Sequence, residues 1–586
     1  MNAFIKKLLL VFVLVSLVKF LLSLFVPTIM IYSDAYIYAK MARSFFYHGA
    51  FLLHGNPLNF YPPLYPILLS ISYVFRDMRI VYAFMKLINS FVSSLVIFPA
   101  WLLAKEFFSK KKSLIIAFLC LITPFSFSFA PYLMAENLFF PLFLFSFYFI
   151  YKSFVDKRLL WDALAGISMA LLYLTKVHGI SLVFVVIMAF IVSLIRREFF
   201  QVKKKSIMAL SFILVYAGWA IRNVLLFGFS IPNLLGFGGY SAEVVFVTNQ
   251  HFSFPGFCVW VILYLGLLIL GSGIVFPALF VGVLNKVNFK DNKRFFFILL
   301  LFFLLFVSLV IAANHNSTAF RHVFSWMPGR PLGRYVDFLI PLIITGGFLG
   351  ISNSVVSKTN SRGSNIDHRR FKKRIICLFA PVLLFSSFLV MFPLLPLNNL
   401  SLSWIGVINV VLNFVFLRRV ALGGVYFSLG ITIFFALLFF ALLIVAVKFL
   451  DKITFKKAFV FLLLFFVMIN GINSVLTIYN SNFYWGRGEQ NQIGAWFNEH
   501  DKGFSHVLFD EDDCTIQLTK REQEGICDEL HASTLMGFWM NDELRIGNVG
   551  NADNFDYLVS KKNLDYKVLK RTSDGIYLYS VKDKVI

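Results

Sequence analysis

The sequence predicts a polytopic, all-α membrane protein that carries a small α/β domain at its C-terminal end. Of its 586 residues, 59% are hydrophobic and only 14% are charged, and the mean hydropathy is +0.78. Soluble domains contain about 45–50% apolar and about 25% charged residues. Thirteen apolar runs are long enough, or nearly long enough, to cross a membrane. This composition excludes a soluble enzyme, a disordered chain and a disulfide-stapled scaffold.

About 20 mostly apolar residues are needed to cross the roughly 30 Å of bilayer hydrocarbon. The predicted spans are residues 8–30, 78–104, 113–130, 137–154, 160–176, 178–195, 206–227, 257–284, 295–313, 335–352, 374–394, 421–447 and 457–479. The first is predicted to be a retained anchor, because it is too long for a signal-peptide core and lacks a small-residue cleavage site. Two shorter apolar runs, 61–75 and 403–417, are predicted to lie along the outer membrane surface.

The distribution of Lys and Arg predicts the orientation. With the amino terminus in the cytoplasm, the segments on the inner side carry 29 Lys and Arg residues and the segments on the outer side carry 10. Positive residues favour the cytoplasmic side of membrane proteins, so this orientation is favoured over its mirror image. An odd number of spans then places the C-terminal domain outside the cytoplasm. We therefore expect a multi-pass cell-membrane protein in contact with the lipid bilayer.

Two domains are predicted, residues 1–479 in the membrane and residues 480–586 outside it. The first outer loop, 31–77, is expected to carry juxtamembrane helices. The second domain holds 12 basic and 18 acidic residues, against 42 and 12 in the first, so the net charge of +24 belongs to the membrane part and does not indicate nucleic-acid binding. Alternating patterns predict a helix near 491–500 and strands at 506–510, 544–549, 555–560 and 576–581. Cys514 and Cys527 either form a disulfide with each other or remain two free thiols.

Five carboxylates of the membrane domain are predicted to face outward, and two of them are candidate catalytic groups. The first 479 residues contain only 12 Asp and Glu residues, and a carboxylate near lipid is costly without a partner or a role. Asp34 follows the first span and opens an amphipathic stretch that ends at His48; it is a candidate base, or simply caps that helix. Glu136 is the one charged residue between the third and fourth spans, and it could equally be a helix-start residue.

Four cations are expected at the same side of the membrane. Lys176 lies in the short turn between the fifth and sixth spans, and Arg222 lies near the outer end of the seventh. Both could be site residues or could reach the interface with their long side chains. Arg330 and Arg334 precede the tenth span, where Asp337 is close enough in sequence to pair with either.

Carboxylates and cations at one membrane face suit transfer from a lipid-linked phosphate. A carboxylate can take a proton from an acceptor hydroxyl, and Arg or Lys can stabilise the departing phosphate. The chain has no G-x-x-x-x-G-K-[ST] nucleotide-binding motif. Sugar nucleotides and ATP are also confined to the cytoplasm, which disfavours them as donors.

The order of these motifs resembles the membrane-embedded GT-C glycosyltransferases, and within them the branch of protein mannosyltransferases and the lipid A aminoarabinose transferase. The resemblance covers most of residues 1–479. It rests on Asp34, Tyr61-Pro62-Pro63-Leu64-Tyr65-Pro66, Glu136, Leu174-Thr175-Lys176, Trp219, Arg222-Asn223, Phe227-Gly228, Gly333-Arg334-Tyr335 and Pro341.

This resemblance implies a polyprenyl-phosphate-linked sugar donor, an inverting displacement and Asp34 as base. From the charge bias and the residue types we further expect an extracytoplasmic acceptor and donor-phosphate contacts from Lys176, Arg222, Arg334 and Arg330. Glu136 would hold a metal or orient the acceptor. Because the first-loop motif has a single Asp, the resemblance does not decide whether the protein binds a divalent metal. Oligosaccharyltransferases carry Trp-Trp-Asp-Tyr-Gly in their soluble domain, whereas this chain has Tyr484-Trp485-Gly486, which favours transfer of one sugar. The alternative is a transporter or flippase of lipid-linked sugars.

Overall fold

A computed structural model describes residues 3–29, 33–59, 61–236, 253–284, 291–317, 322–324, 327–328, 333–357, 364–391, 429–485, 490–501, 505–510, 536–573 and 575–584. In the first half of the chain the α-helices are α1 (Ala3–Leu24), α2 (Ser33–His48), α3 (Leu64–Ser70), α4 (Met78–Ser94), α5 (Ile97–Lys105), α6 (Lys110–Leu121), α7 (Pro124–Phe127), α8 (Glu136–Val155), α9 (Leu160–Tyr173), α10 (Ile180–Ile195), α11 (Phe200–Phe227), α12 (Ile231–Leu234), α13 (Phe254–Gly271) and α14 (Val275–Leu284). In the second half they are α15 (Asn292–Ser317), α16 (Ile340–Ser357), α17 (Ser364–Ser386), α18 (Leu429–Phe449), α19 (Phe455–Asn480) and α20 (Gln490–His500).

Every predicted span overlaps at least one of these helices, which confirms the all-α membrane class. Among the described residues, nine helices are long and apolar enough to cross a membrane. Four predicted spans, 113–130, 160–176, 335–352 and 374–394, contain no helix of that kind. Two of them hold helices of only 12 and 14 residues, α6 and α9. At 1.5 Å per residue these helices are about 18 and 21 Å long, shorter than the bilayer hydrocarbon.

The helices pack through small residues and aromatic rings. On α16 the three glycines 346, 347 and 350 face α14, and an added Cβ at Gly350 would lie 2.4 Å from the carbonyl oxygen of Leu279. Small residues allow such close approach between helices in membranes, where van der Waals contact drives association. The same principle applies at Gly166 of α9, where a Cβ would lie 2.2 Å from the carbonyl oxygen of Met208 on α11.

The segment predicted to be the first outer loop, residues 31–77, carries two helices and one hairpin. The predicted amphipathic stretch after the first span is α2, and the Pro-rich run 61–75 forms α3 followed by a 3₁₀ helix, Ile71–Val74. The hairpin pairs β1 (Leu52–Leu53) with β2 (Asn56–Pro57). A second hairpin pairs β3 (His322–Phe324) with β4 (Met327–Pro328). The run 403–417 lies outside the described residues.

The C-terminal region forms a five-stranded sheet of β5 (His506–Asp510), β6 (Glu543–Gly547), β7 (Tyr557–Ser560), β8 (Tyr566–Arg571) and β9 (Tyr577–Lys584). The strand order is β6-β5-β7-β9-β8, with β5 parallel to both its neighbours and β9 antiparallel to both of its own. Helix α20 packs on this sheet through Ile493 and Phe497, both buried. The predicted α/β class is confirmed, and the strand missed from the sequence is β8, an edge strand with several exposed positions.

Helix α20 of the C-terminal domain contacts the start of α4, which directly follows the first outer loop. The side chain of Asn498 on α20 accepts a hydrogen bond from the backbone N–H of Met78 at 2.7 Å. Next to it, Arg79 pairs with Glu499 at 2.8 Å. These contacts tie the C-terminal domain to the loop that carries Asp34.

Candidate active site

The carboxylate of Asp34 lies at the start of α2 and bonds two side chains from distant parts of the chain. The phenol of Tyr61 donates to one carboxylate oxygen at 2.6 Å, and a terminal nitrogen of Arg334 donates to the other at 3.3 Å. The Asp34 side chain is 27% exposed. The carboxylate is therefore held from two sides while part of it remains open to an incoming group.

Glu136 connects this carboxylate to a second cation. Its side chain is 2% exposed and accepts a hydrogen bond from the ammonium of Lys176 at 2.6 Å. The Nε of Arg334 lies 3.7 Å from the same Glu136 oxygen. Arg334 thus lies between Asp34 and Glu136, and Lys176 lies beside them. Four side chains separated by up to 300 residues in sequence form one charged cluster.

Local sequence explains how Glu136 and Lys176 are presented. Glu136 is in the first turn of α8, where a helix favours a negative charge. The preceding loop is fixed by the amide of Asn137, which donates to the carbonyls of Phe129, Tyr132 and Met134. Lys176 follows the end of α9 in extended conformation.

One backbone hydrogen bond joins the first outer loop to the turn that carries Lys176. The N–H of Leu64 donates to the carbonyl of Leu174 at 2.9 Å. This bond sets the Pro62-Pro63 segment against the fifth predicted span. Tyr61 and Lys176, each two or three residues from the bond, are thereby brought to the same place.

Aromatic rings line the cluster. The ammonium of Lys176 lies 5.4 Å from the centre of the Tyr335 ring, and the guanidinium of Arg334 lies 5.8 Å from it. Tyr38 packs edge-on against both Tyr61 and Tyr65, with ring centres 5.2 and 5.1 Å apart. These rings limit water around the charges, which strengthens their interactions.

Burial raises the pKa of Tyr61 well above its usual value, and the neighbouring Asp34 carboxylate raises it further. The phenol therefore keeps its proton and acts as a donor to Asp34. Burial lowers the pKa of Lys176, while the Glu136 carboxylate opposes that effect.

The structure places the other predicted site residues elsewhere or does not describe them. Arg222 donates to the backbone carbonyls of Leu58 at 2.5 Å and Phe51 at 3.4 Å, so it holds the first outer loop instead of joining the charged cluster. Arg334 pairs with Asp34 and Glu136 rather than with Asp337, which is buried. Arg330, Cys514 and Cys527 lie outside the described residues.

The cluster does not fit a metal ion. A cation held jointly by Asp34 and Glu136 would occupy the space that Arg334 fills between them. Among the described residues no group of three or more His, Cys, Asp or Glu side chains has the arrangement of a metal site.

Sequence reasoning missed the role of two tyrosines. In the sequence Tyr61 stands out only as part of the Pro-rich motif, although its phenol makes the shortest contact to Asp34. Tyr335 stands out only as the neighbour of Arg334, although its ring packs against both cations. In the sequence each tyrosine is marked only by its position next to a motif proline or arginine. That position does not show which way the side chain points.

Comparisons with known proteins agree with this architecture. A family model described as dolichyl-phosphate-mannose-protein mannosyltransferase matches residues 61–221. The structure of ArnT from Cupriavidus metallidurans bound to undecaprenyl phosphate is 14% identical, with a TM-score of 0.56, and the match covers 98% of each chain. The apo form of that protein gives a TM-score of 0.55 with the same identity and coverage.

A more distant match is the archaeal oligosaccharyltransferase AglB from Archaeoglobus fulgidus, in complex with an inhibitory peptide and a dolichol phosphate. It is 12% identical, with a TM-score of 0.39, and covers 93% of this chain and 65% of that one. No curated protein sequence matches this chain.

The chain therefore shares the fold of ArnT along nearly its whole length. A polytopic membrane fold of this kind is what the resemblance in the sequence motifs implies. The matching family model covers the segment from Tyr61 to Ile221, which includes Glu136 and Lys176.

Proposed function

We propose that this protein is an integral-membrane glycosyltransferase that moves a single sugar from a polyprenyl phosphate to an acceptor outside the cytoplasm. The observation that carries the proposal is the partly exposed Asp34 carboxylate beside Arg334, with Lys176 and Glu136 adjoining. A base and two cations then lie within one cluster, as transfer from a phosphate donor requires. The GT-C fold and the family match support the same chemistry.

In the proposed reaction the Asp34 carboxylate takes the proton of an acceptor hydroxyl. The hydroxyl oxygen attacks the anomeric carbon of the sugar from the face opposite the phosphate, and the configuration inverts. The bond from that carbon to the phosphate oxygen breaks, and the polyprenyl phosphate leaves with the electron pair. Arg334 and Lys176 stabilise the negative charge that develops on the phosphate.

We assign Glu136 to positioning rather than to contact with the acceptor. Its side chain is 2% exposed and its carboxylate is engaged by Lys176 and Arg334. A buried carboxylate of this kind fixes the two cations at the rim and offsets their charge when no donor is bound. Tyr61 has the corresponding role for Asp34, because its hydrogen bond orients the carboxylate.

Replacement of the base tests the proposal. Purified protein in detergent would be given radiolabelled polyprenyl-phosphate sugars and a membrane extract, and release of polyprenyl phosphate and labelling of an acceptor would be measured. We expect Asp34→Asn to lower the rate by about 10² to 10⁴, the usual contribution of a general base.

Asp77→Asn is the matched control. Asp77 also faces outward, but its carboxylate caps α4 by accepting from the N–H of Arg79, and Asn caps a helix almost equally well. This variant should retain nearly the wild-type rate. A normal rate in Asp34→Asn would show that Asp34 is not the base and has a structural role only. Transport of label across a vesicle membrane without chemical transfer would favour a flippase instead.

A further inference from the structure

Helix α2 has two opposite faces, one toward the charged cluster and one toward the C-terminal domain. Asp34 and Tyr38, about one turn apart, lie on the first face and contact Tyr61. At about 100° per residue, positions spaced by four, three and four residues share a face. The opposite face, which we call the rear face of α2, consists of Tyr36, Lys40, Arg43 and Tyr47. It meets residues 536–541 of the C-terminal domain, which we call the docking segment.

Three successive turns of the rear face are hydrogen-bonded to the docking segment. The ammonium of Lys40 donates to the carbonyl of Met540 at 2.6 Å, and the Nε of Arg43 donates to the carbonyl of Asn541 at 2.9 Å. The side-chain amide of Asn541 in turn donates to the hydroxyl of Tyr47 at 3.2 Å. Two adjacent residues of the C-terminal domain thus hold most of the length of the helix.

At the start of α2 the docking segment approaches the helix without a side chain between them. A Cβ on Gly537 would lie 2.6 Å from the hydroxyl of Tyr36. Tyr36 is 1% exposed, and its hydroxyl is bonded to His54 at 2.7 Å, so the ring is held in place. This contact lies two residues beyond Asp34, in the first turn of the helix.

Stability alone does not explain two cations on a buried face. Lys40 and Arg43 are 7% and 8% exposed. Burial lowers the pKa of Lys40 to about 7; the charge of Arg43 adds to this effect and the Asp542 carboxylate opposes it. Apolar side chains of similar volume often replace buried charges without loss of stability. What the cations provide is a directed bond to a backbone carbonyl, which fixes both the rotation and the height of α2.

The position of α2 matters because Asp34 lies on it. A general base must come within hydrogen-bond distance of the proton it takes, and a misplacement of about 1 Å can cost about 100-fold in rate. Intrahelical hydrogen bonds make a helix move as one body, so a shift of the rear face also shifts Asp34. Tyr73 holds the flank of α2 by donating to the carbonyl of Ala39 at 2.9 Å. Loss of one rear-face bond should therefore displace the helix without releasing it.

Resting on the role proposed above for Asp34, we propose that the C-terminal domain holds the base in its working position through Lys40 and Arg43, two positioning residues on the rear face of α2. Separation of the docking segment from α2 then slows transfer while the donor still binds.

The mechanical part can be tested without catalysis, by hydrogen–deuterium exchange on the full-length protein in detergent. Gly537→Ala places a methyl group between the docking segment and Tyr36, whereas Gly550→Ala adds one in the same domain where the nearest heavy atom is 3.4 Å away. Peptides from α2 should exchange about 3- to 10-fold faster in Gly537→Ala, the loss of about one hydrogen bond, and peptides from α8 should not change. Gly550→Ala should match the wild type.

Transfer assays test the consequence for the base. Lys40→Met keeps the length of the side chain and removes the donor, so kcat should fall by about 10-fold while the donor KM and the melting temperature stay near the wild-type values. Arg79→Met is the matched control. It breaks an exposed pair with Glu499 between the same domain and α4, away from α2, and should leave kcat unchanged.

A double variant separates positioning from general destabilisation. Lys40→Met and Tyr61→Phe both disturb the same carboxylate, so their combined loss of kcat should be smaller than the product of the two single losses. Independent effects would multiply, which would count against a shared action on Asp34.

The outcomes distinguish this inference from the proposed function. Unchanged exchange of α2 in both Gly537→Ala and Lys40→Met would overturn it, as would a normal kcat in Lys40→Met or a lowered melting temperature with unchanged kcat. Lys40→Met is included in the exchange measurement so that a Gly537→Ala chain that fails to fold does not decide the result. Absence of transfer by the wild type would overturn the proposed function, whereas faster exchange of α2 would still establish its coupling to the C-terminal domain.

Discussion

At the scale of single residues, the proposed chemistry depends on how Asp34 is oriented. Tyr61 donates to one of its oxygens and Arg334 to the other, so neither oxygen is free to turn. Hydrogen bonds to a charged group contribute about 1.5–3 kcal/mol, more than most neutral ones. The orientation of the proposed base therefore rests on two contacts from outside its own helix.

Removal of the Tyr61 hydroxyl should reduce turnover while donor binding is retained. We expect Tyr61→Phe to lower kcat by about 10- to 100-fold with little change in the donor KM, because the lost bond orients the base and not the substrate. Tyr38→Phe is the control, since its ring packs against Tyr61 and the aromatic packing would be kept. Equal losses in both variants would show that ring packing, rather than the hydrogen bond, matters.

Arg334 should not tolerate replacement by lysine. Its guanidinium reaches Asp34 with one nitrogen and Glu136 with another, a geometry that a single ammonium cannot reproduce. We expect Arg334→Lys to lower kcat/KM by at least about 10-fold in steady-state assays, since a charge-assisted contact of about 1.5 kcal/mol or more is lost. Arg222→Lys, which alters an arginine bound to loop carbonyls, should have a smaller effect. A larger loss of kcat/KM in Arg222→Lys than in Arg334→Lys would place the donor phosphate near Arg222.

At the scale of elements, the hairpin β1–β2 connects α2 to the C-terminal sheet. Its turn residues His54 and Gly55 have φ angles of 51° and 79°, the left-handed conformation that tight two-residue hairpins require. The guanidinium of Arg545 on β6 lies so close to Gly55 that a Cβ there would collide with it. Gly55 is therefore required both by the turn and by the contact with the sheet.

This hairpin predicts a pH dependence of stability. Burial, together with the charge of nearby Lys40, lowers the pKa of His54 from 6.5 to about 3. Below about pH 6.5 the unfolded chain therefore takes up a proton that the folded hairpin refuses, and stability falls as the pH falls. The loss contributed by this group at pH 5 is at most about 2 kcal/mol.

Thermal denaturation at pH 7.5 and pH 5 would measure the effect. The decrease in melting temperature between the two pH values should be smaller in His54→Asn than in the wild type, because Asn tolerates the same φ and does not titrate. His500→Gln, at an exposed position on α20, should behave like the wild type. An unchanged decrease in His54→Asn would assign the acid sensitivity to other groups.

At the scale of the whole molecule, charged groups gather at two separate ends. Lys152 and Lys293 pair with Glu106 at 3.0 and 3.2 Å, and Lys205 pairs with Asp162 at 3.0 Å. All of these residues lie at the predicted cytoplasmic side, in inner segments or at the inner ends of spans. The cluster of Asp34, Glu136, Lys176 and Arg334 belongs to segments predicted to face outward. A cation that pairs with a carboxylate at its own end avoids a lone charge in the bilayer.

The predicted orientation can be tested by cysteine labelling. In intact cells a membrane-impermeant maleimide should label Asn551→Cys in the C-terminal domain and should not label Lys110→Cys until the membrane is permeabilised, as the positive-inside bias requires. Both positions are exposed, and the unaltered protein measures the background from its five native cysteines. The opposite labelling pattern would invert the topology and move the proposed site to the cytoplasm.

By itself the sequence determined the membrane class, the positions of most helices and four of the five strands of the C-terminal sheet. Apolar run length and residue alternation are local properties, and burial in lipid or in a core enforces them. The sequence also supplied a short list of charged candidates, since so few carboxylates occur in the membrane domain. From this list alone it could not be decided whether Arg334 or Arg222 pairs with Asp34.

Tertiary structure decided which candidates meet. Arg334 joins Asp34 across 300 residues of chain, whereas Arg222 turns to the backbone of the first outer loop. Such pairings depend on how helices and loops pack in three dimensions, and neither periodicity nor composition records that packing. The same reason hid Tyr61 as a donor to the proposed base.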